Sequence, residues 1–197
     1  MKKILSDDFG PEYIVKVYNE KVGLKGVLVI DNTNLGPGKA RIRMTPHLTE
    51  EEVARLARIM TWKNALAGIP FGGAKAGIVW QGGDDRKKMA VMQEFARALK
   101  IFTPHKYIAG PDVNTGEKEM AWFVGATGVW NSATGKPANL CMQMFGKKGE
   151  VCGIPHEFGS TGFGVAESTK ALVDILGLDM SKIKISIHGF GNVGTFA

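Results

Sequence analysis

The pattern of hydrophobic and polar residues predicts strands and helices in alternation. Residues 26–31 form a short apolar run and residues 39–44 alternate, so we expect them to be partner strands. The segment 32–38 between them is rich in turn residues. Residues 11–20 are predicted to form a short helix, because Pro11 suits a first helical position. Further short strands are predicted over residues 77–81 and 107–109.

Helix signals separate these strands. Residues 49–52 read Thr-Glu-Glu-Glu, the form of a capping box, and predict a helix that extends to about Ala67. Residues 132–158 carry no clear pattern and are expected to be loop-like. Further helices are predicted over residues 84–101, with Met89, Met92, Phe95, Ala96 and Leu99 on one face, and over residues 116–124 and 161–176. The alternation predicts the α/β class, with a mainly parallel mixed sheet flanked by helices.

Composition narrows the class of protein. The 197 residues are 44% hydrophobic and 22% charged, enough for one good core and part of a second. The net charge is +6, but no arginine-rich run or alternation of basic and aromatic residues occurs. Nucleic-acid binding is therefore disfavoured, whereas small anionic substrates suit the charge.

The termini and cysteines indicate a cytoplasmic protein. No apolar run could cross a bilayer, and residues 1–5 lead directly into charged residues rather than a signal-peptide core. We therefore expect no membrane partner. Cys141 and Cys152 lack metal-ligand spacing, so we expect reduced thiols and no metal site, with a single disulfide as the alternative.

The segment 70–77 places Lys75 among glycines and alanines. Glycine allows close approach of the backbone to a ligand, and we expect Gly72 and Gly73 to line a substrate cleft with Lys75. A lysine in a dry, apolar place has a lowered pKa and can serve as an acid or base near neutral pH. A glycine turn with a solvated lysine is an equally good interpretation of this segment alone.

Lys63 is predicted to lie on a buried helix face. Val53, Leu56 and Met60 mark an apolar stripe at spacings of three and four, and three more residues lead to Lys63. A cation there suits a polar cleft that holds a carboxylate. The alternative is an ammonium that extends past the helix end into solvent.

Asp112 and Lys39 complete the set of candidates. Asp112 follows the strand predicted at residues 107–109, and ligands of α/β sheets collect beyond the carboxyl ends of strands. It could be a general acid or base, a ligand-holding carboxylate, or a cap of the following helix. Lys39, taken alone, fits a solvated surface lysine.

The end of the chain carries a dinucleotide fingerprint. Residues 182–188 alternate like a strand and run into G-x-G-x-x-G at residues 189–194. The helix, second strand and acidic residue that complete such a unit do not follow, so we expect a fragment that stops inside a Rossmann domain. We expect a substrate-binding and oligomerisation domain over residues 1–158. Residues 159–197 are then a connecting helix and the start of the dinucleotide-binding domain.

Six motifs, in this order, resemble the glutamate/leucine/phenylalanine/valine dehydrogenase family. The second, third and fourth motifs are specific, and the last is weak except in this position. They are GPGK at residues 36–39, MTWKNA at 60–65, PFGGAKAG at 70–77, GPDVNT at 110–115, STGFGV at 160–165 and GFGNVG at 189–194. The resemblance implies NAD- or NADP-dependent oxidative deamination of an L-amino acid to a 2-oxo acid and ammonia.

The resemblance also implies roles for single residues. It makes Lys75 catalytic together with a water, and gives Asp112 the protons of the amino group. Lys63 then holds the α-carboxylate and Lys39 a side-chain carboxylate. The residues implied at the cofactor are Thr161, near the nicotinamide, and Gly189, Gly191, Asn192, Val193 and Gly194. The resemblance further implies a homo-oligomer built through the N-terminal domain, with a hexamer favoured over an octamer.

Glutamate is the favoured substrate, on the strength of Lys39, but the chain departs from the family pattern. Glu157 stands where many members have an arginine, Ser160 where many have alanine, and Met60 where some glutamate enzymes have a polar residue. A dehydrogenase for branched or aromatic amino acids is therefore one alternative. A non-catalytic, self-assembling module is another, and an unrelated Rossmann reductase is a distant third.

Overall fold

The computed structural model describes residues 6–137 and 158–197. The chain divides into two compact units, residues 1–150 and residues 151–197. Cys141, Cys152, Glu157 and most of the segment expected to be loop-like lie outside the described residues. No helix of the described residues is long and apolar enough to cross a membrane.

A mixed sheet forms the centre of the first unit. The strand order is β1-β2-β5-β3-β6, and β4 also pairs with β5. The pairs β1/β2 and β2/β5 are antiparallel, whereas β3 and β4 run parallel to β5, and β3 runs parallel to β6. The strands are β1 (Tyr13–Asn19), β2 (Leu24–Asn32), β3 (Gly38–Lys39), β4 (Ile42–Thr45), β5 (Gly72–Val79) and β6 (Tyr107–Ile108).

Strand β1 replaces the helix predicted over residues 11–20, and that prediction is wrong. Tyr13, Ile14, Val15 and Val17 are aromatic or β-branched residues, which favour a pleated strand over a helix. Each residue of β1 has a partner in β2. Pairing along the whole strand therefore outweighs the helix-start signal of the preceding proline.

The pairing expected between residues 26–31 and 39–44 is also wrong. Both edges of β2 are already paired, one with β1 and the other with β5. Lys39 instead lies opposite Gly73, and Ile42 opposite Ala76. Because both pairs have the same offset along the chain, β3 and β4 behave as one strand interrupted at residues 40–41.

Three helices cover the two faces of this sheet: α1 (Glu50–Leu66), α2 (Asp85–Leu99) and α3 (Glu117–Thr127). The start of α1 is as predicted, because the Thr49 hydroxyl accepts the Glu52 N–H at 3.1 Å. The Glu52 carboxylate, however, bonds to Arg43. The helix predicted over residues 84–101 is confirmed as α2, with Met92, Phe95 and other apolar residues buried on one face. Short 3₁₀ turns cover Lys100–Phe102 and Trp130–Ser132.

Alternation along the strands sorts side chains to the two sheet faces. Leu28, Ala74 and Ala76 belong to the large core that includes α2 and α3. Val29 packs with Val53 of α1 on the opposite face. Lys75, which pairs with Val29 across the ladder, therefore shares the face covered by α1. The α/β class and the mixed sheet flanked by helices are confirmed.

The second unit contains α4 (Ser160–Ile175) and the short α5 (Asn192–Phe196). Helix α4 confirms the helix predicted over residues 161–176. The strand predicted over residues 182–188 is wrong, since residues 183–190 have no paired neighbour within the described chain. A strand needs a neighbour for its backbone hydrogen bonds, and Ile185 and Ile187 are correspondingly exposed.

Candidate functional site

Lys75 lies in the middle of β5 and is only 4% exposed. The segment around it is a central strand, so the glycine turn with a solvated lysine is wrong. The Lys75 ammonium forms an ion pair with Asp112 and donates a hydrogen bond to its Oδ2. The two residues that the sequence put forward as catalytic are thus in direct contact, although they lie 37 positions apart.

Asp112 lies in a loop that follows β6, and internal hydrogen bonds hold this loop. Its backbone N–H donates to the Thr115 hydroxyl at 2.8 Å, and that hydroxyl donates to the Ile42 carbonyl at 2.7 Å. The side chain of Asn114 donates to the Met44 carbonyl at 3.3 Å. Gly116 is the N-cap of α3, so the interpretation of Asp112 as a helix cap is wrong.

Arg43 is a member of this site that sequence reasoning missed. Its Nε lies 3.4 Å from Asp112 Oδ2, and its Nη1 lies 2.6 Å from Glu52 Oε1. Four side chains of alternating charge are therefore linked by ion pairs, in the order Lys75, Asp112, Arg43 and Glu52. The available signal was the alternation in residues 39–44, which places Lys39, Arg41 and Arg43 on one strand face.

The pair at the centre of this chain has perturbed ionisation. Burial lowers the pKa of the Lys75 ammonium, and the charges of Arg43 and Arg41 add to this, although Asp112 opposes the shift. Burial works against ionisation of Asp112 as well. The hydrogen bond from Lys75 and the charges of Lys75 and Arg43 outweigh it, so the pKa of Asp112 is below its ordinary value.

Lys39 lies at the end of β3, in register with Gly73 and with Ile108. Its ammonium donates to the Ala109 carbonyl at 3.1 Å. Burial, with smaller contributions from the charges of Arg41 and Lys136, lowers the pKa of Lys39 to about 7. The expectation of a solvated surface lysine is therefore wrong, and within residues 6–137 no carboxylate forms an ion pair with this ammonium.

The prediction that Lys63 lies on the buried stripe of α1 is wrong. The buried residues of this helix are Val53, Ala57 and Asn64, and Lys63 is exposed. Thr61 packs over Gly73, and Lys63 is turned by about 200° from it around the helix. Its ammonium has no ion pair within the described residues, so it is available to a ligand in solution.

Gly72 and Gly73 have a clear packing role. A Cβ at Gly73 would lie 2.0 Å from the Thr61 hydroxyl and 2.3 Å from the Thr61 backbone nitrogen. A Cβ at Gly72 would lie 1.9 Å from the Asn32 carbonyl oxygen. The backbone of Gly72 is also engaged, because its carbonyl accepts the Asn64 side chain at 2.6 Å. Gly73 thus lets α1 approach β5 closely, and Gly72 leaves room for the backbone at Asn32 and Gly36.

In the second unit, helix α4 carries Thr161 and packs against helix α5, which includes the end of the fingerprint at residues 189–194. Thr161 lies in the first turn of α4. A Cβ on the neighbouring Gly162 would lie 2.5 Å from the Val193 carbonyl oxygen, so α4 packs tightly on α5. The two motifs that carry the candidate cofactor residues of this unit are therefore close in space, although they are separate in the sequence.

The three fingerprint glycines of the loop at residues 189–194 differ in backbone conformation and in surroundings. Gly189 has a φ of +101°, which favours glycine. No atom of residues 6–137 or 158–197 lies within 4 Å of a Cβ placed on Gly191, so these residues leave its backbone open to a ligand. A Cβ on Gly194 would lie 2.1 Å from the Gly189 carbonyl oxygen. These three roles fit a pyrophosphate-binding loop. Asn192 Oδ1 is buried without a hydrogen-bond partner in the described chain.

These features define a class of protein. The first unit is an α/β domain with a buried lysine–aspartate pair, and the second carries a glycine loop suited to a dinucleotide. No group of His, Cys, Asp or Glu side chains suited to a metal ion occurs among residues 6–137 and 158–197. The family model described as Glu/Leu/Phe/Val dehydrogenase, dimerisation domain, matches residues 11–128, and the chain belongs to this family.

Similar proteins agree with this assignment. A glutamate dehydrogenase of Thermotoga maritima is 37% identical, over 87% of this chain and 41% of that protein. An NADP-specific glutamate dehydrogenase of Saccharolobus shibatae is 34% identical, over 94% of this chain and 45% of that protein. The crystal structure of a hetero-hexameric glutamate dehydrogenase from Thermus thermophilus, in a Leu-bound form, superposes with a TM-score of 0.79 and 26% identity, covering 94% of this chain and 46% of that chain. The chain thus spans less than half the length of these relatives.

Proposed function

We propose that this chain is the substrate-binding part, with the start of the cofactor-binding part, of an NAD- or NADP-dependent dehydrogenase that converts L-glutamate to 2-oxoglutarate and ammonia. The observation that carries the proposal is the buried ion pair between Lys75 and Asp112. Burial lowers the pKa of the Lys75 ammonium and so helps it to give up a proton, and the carboxylate is suited to a substrate ammonium. Family membership and the relatives named glutamate dehydrogenase support the same reaction.

In this proposal Lys75 and Asp112 share the proton transfers. Asp112, held as a carboxylate, accepts a proton from the substrate ammonium and leaves a neutral amine. A bound nicotinamide cofactor would supply the acceptor for the hydride that leaves the substrate Cα. Lys75, once its ammonium has lost a proton to solvent, deprotonates the water that attacks the resulting iminium carbon. It returns that proton to the amine as the C–N bond breaks, and then takes the proton of the hydroxyl group that becomes the carbonyl. Arg43 keeps Asp112 ionised until the substrate ammonium gives up its proton.

The substrate anchors are Lys63 and Lys39. The family resemblance assigns the α-carboxylate to Lys63, which lies on the exposed side of α1 in this structure, and the side-chain carboxylate of glutamate to Lys39. Fixing both ends of the substrate presents one face of Cα for reaction. Gly73 serves the site through the close packing of α1 on β5. Gly72 serves it through the close approach of the backbone at Asn32, and its carbonyl already accepts the Asn64 side chain.

The cofactor residues lie in the second unit. Gly189, Gly191 and Gly194 form the turn for the pyrophosphate, with Asn192 and Val193 between them. Thr161 lies near the nicotinamide. The open backbone at Gly191 and the unpaired Asn192 oxygen support these assignments. We place the domain boundary near residue 158, just before α4.

Assembly and location are part of the same proposal. The matching family model describes a dimerisation domain, and one structural relative is hetero-hexameric. We propose a cytoplasmic homo-oligomer, with a hexamer favoured, that acts on small amino acids and 2-oxo acids rather than on nucleic acid or membrane. Sedimentation of the full-length protein tests the hexamer, and a monomer at micromolar concentration would contradict it.

The activity is tested by initial rates of the full-length protein with L-glutamate, L-leucine and L-phenylalanine, each with NAD and with NADP. We expect turnover of glutamate with at least one cofactor, and much slower turnover of the other two. Turnover of leucine or phenylalanine without glutamate would move the assignment to a branched-chain or aromatic amino acid dehydrogenase. A folded protein inactive on all three would favour the non-catalytic assembly module.

A further inference from the structure

Lys136 is a partly buried cation with no part in the chemistry proposed above. Its ammonium donates to the carbonyl of Ala133 and, at 3.2 Å, to the carbonyl of Trp130. It also lies 4.1 Å from the centre of the Trp130 ring, within the range of a cation–π contact. Burial lowers its pKa to about 8. The Lys136 side chain thus links the end of the segment 130–136 to Trp130 at its start.

The segment 130–136 forms backbone hydrogen bonds with Ala109, the residue whose carbonyl accepts a hydrogen bond from Lys39. The Ala109 N–H donates to the Ser132 carbonyl at 2.8 Å, and the Thr134 N–H donates to the Ala109 carbonyl at 2.9 Å. The Lys39 ammonium donates to this same Ala109 carbonyl. The position of Lys39 therefore depends on a carbonyl that the segment 130–136 fixes.

Space around the Lys39 ammonium is also limited by this segment. A Cβ placed on Gly110 would lie 2.9 Å from Lys39 Nζ and 3.3 Å from the Thr134 hydroxyl. The ammonium and the hydroxyl thus flank the same small backbone position. Arg41 and Lys136 add positive charge around Lys39. Uncompensated positive charge at a confined ammonium favours an incoming carboxylate.

We propose that Lys136 is a positioning residue that holds Lys39 against the Ala109 carbonyl and so makes the side-chain end of the substrate pocket selective for a carboxylate. The positioning role stands on the contacts of residues 130–136. The selectivity rests on the proposed glutamate dehydrogenase activity, because that activity identifies the ligand.

The first experiment measures the ionisation of the Lys39 ammonium, which depends on its surroundings, and requires no turnover of substrate. Lysines of the full-length protein are acetylated competitively over pH 6–11, and the labelling midpoint of each lysine is read by mass spectrometry. In Lys136→Met we expect the Lys39 midpoint to rise by about one pH unit, because one nearby charge and part of the burial are lost. The Lys75 midpoint should stay within error.

Two further variants separate this effect from general damage. Lys136→Arg keeps the charge and the contact with an indole ring, and should leave the Lys39 midpoint near the wild-type value. Lys87→Met is the matched control, because it removes another lysine that stacks on an indole, that of Trp80. It should not move Lys39. An unchanged Lys39 midpoint in Lys136→Met would overturn the positioning role.

The second experiment compares L-glutamate with L-norvaline, which has a similar chain length without the side-chain carboxylate. Lys136→Met should raise KM for glutamate about tenfold, consistent with a weakened charge-assisted contact, and leave KM for norvaline unchanged. Equal effects on both substrates would overturn the selectivity. A wild-type protein that turns over neither amino acid would defeat the proposed function, whereas the labelling result would still decide the positioning role.

Discussion

Lys75 and Lys39 lie in neighbouring strands on the same face of one sheet, yet their charges are compensated differently. Lys75 in β5 is buried and pairs with Asp112. Lys39 at the end of β3 donates to the Ala109 carbonyl and has no ion pair within the described first unit. Burial lowers the pKa of both ammonium groups, but only Lys75 has a carboxylate that opposes the shift.

The difference indicates two kinds of task. A lysine paired with a carboxylate is held in one place and can pass a proton within the pair. A lysine that has only a carbonyl partner carries, when it is protonated, a positive charge that no carboxylate of the described residues neutralises. Such a charge costs free energy until an anion arrives, so the second arrangement favours binding of an anion over proton transfer.

Removal of the Lys75 ammonium should give the largest effect. We expect Lys75→Met in the full-length protein to lower kcat for glutamate by about 10²–10⁴-fold, the usual contribution of general acid–base catalysis. Initial rates at saturating glutamate measure the loss, and circular dichroism checks the fold. A well-folded variant with nearly full kcat would show that Lys75 is not the proton-transfer group.

Removal of the Lys39 ammonium should act on binding. Lys39→Met should raise KM for glutamate by about 10–100-fold, since a hydrogen bond to a charged group contributes about 1.5–3 kcal/mol. Its kcat with L-norvaline should remain close to that of the wild type. Initial rates with both substrates measure the split. If kcat falls while KM stays at the wild-type value for both substrates, Lys39 does not act mainly in substrate binding. The proposed difference in task between the two lysines would then be wrong.

A substitution at Gly73 measures how much stability comes from the close packing of α1 on the sheet face that carries both lysines. Gly73 lies opposite Lys39 and two positions before Lys75. Gly73→Ala should lower the free energy of unfolding by about 1–3 kcal/mol, because its Cβ would overlap the Thr61 backbone. Gly125→Ala in α3 is the control, since no atom lies within 4 Å of its Cβ. It should stabilise by up to about 1 kcal/mol.

Fluorescence suits these unfolding measurements, because all four tryptophans of the chain (Trp62, Trp80, Trp122 and Trp130) lie in the first unit. Urea titrations followed by tryptophan emission therefore report on the sheet domain. Equal stability of Gly73→Ala and the wild type would show that α1 can move away from β5 at little cost.

The last predicted effect is a pH dependence of stability. Folding lowers the pKa of Lys39 from 10.5 to about 7, so between these values the unfolded chain binds the proton and the folded chain does not. The unfolding free energy then rises with pH, by up to about 1.4 kcal/mol per unit from this group. The difference between wild type and Lys39→Met, measured at pH 7.5 and 9, should grow in favour of the wild type. A constant difference would mean that folding leaves the pKa of Lys39 unchanged.

Local patterns identified much of this fold in advance. The helix after Thr49, helix α2 with its buried face, strand β6 and helix α4 are all as expected, because capping residues and apolar periodicity act over a few neighbouring positions. Strand β1 was missed. Its pairing partner in β2 outweighs the helix-start signal of Pro11, and pairing is not a local property.

The same limit applies to the candidate site. Motifs and the family resemblance put forward Lys75 and Asp112, and the structure shows them in contact. They did not reveal Arg43, which reaches Asp112 from a strand that the pattern assigned to another partner. Lys63 was placed on the wrong face of α1, because the stripe was counted from partly exposed Leu56 and Met60 rather than from Ala57 and Asn64.

The sequence by itself determined the family, most helices and the candidate lysines and aspartate, since these depend on residue types at fixed spacing. Only the tertiary structure decided which charges meet. Burial and ion pairing depend on atoms brought together from distant parts of the chain. That is why Lys75 has a carboxylate partner, whereas Lys39 has a carbonyl oxygen held in place by residues 130–136.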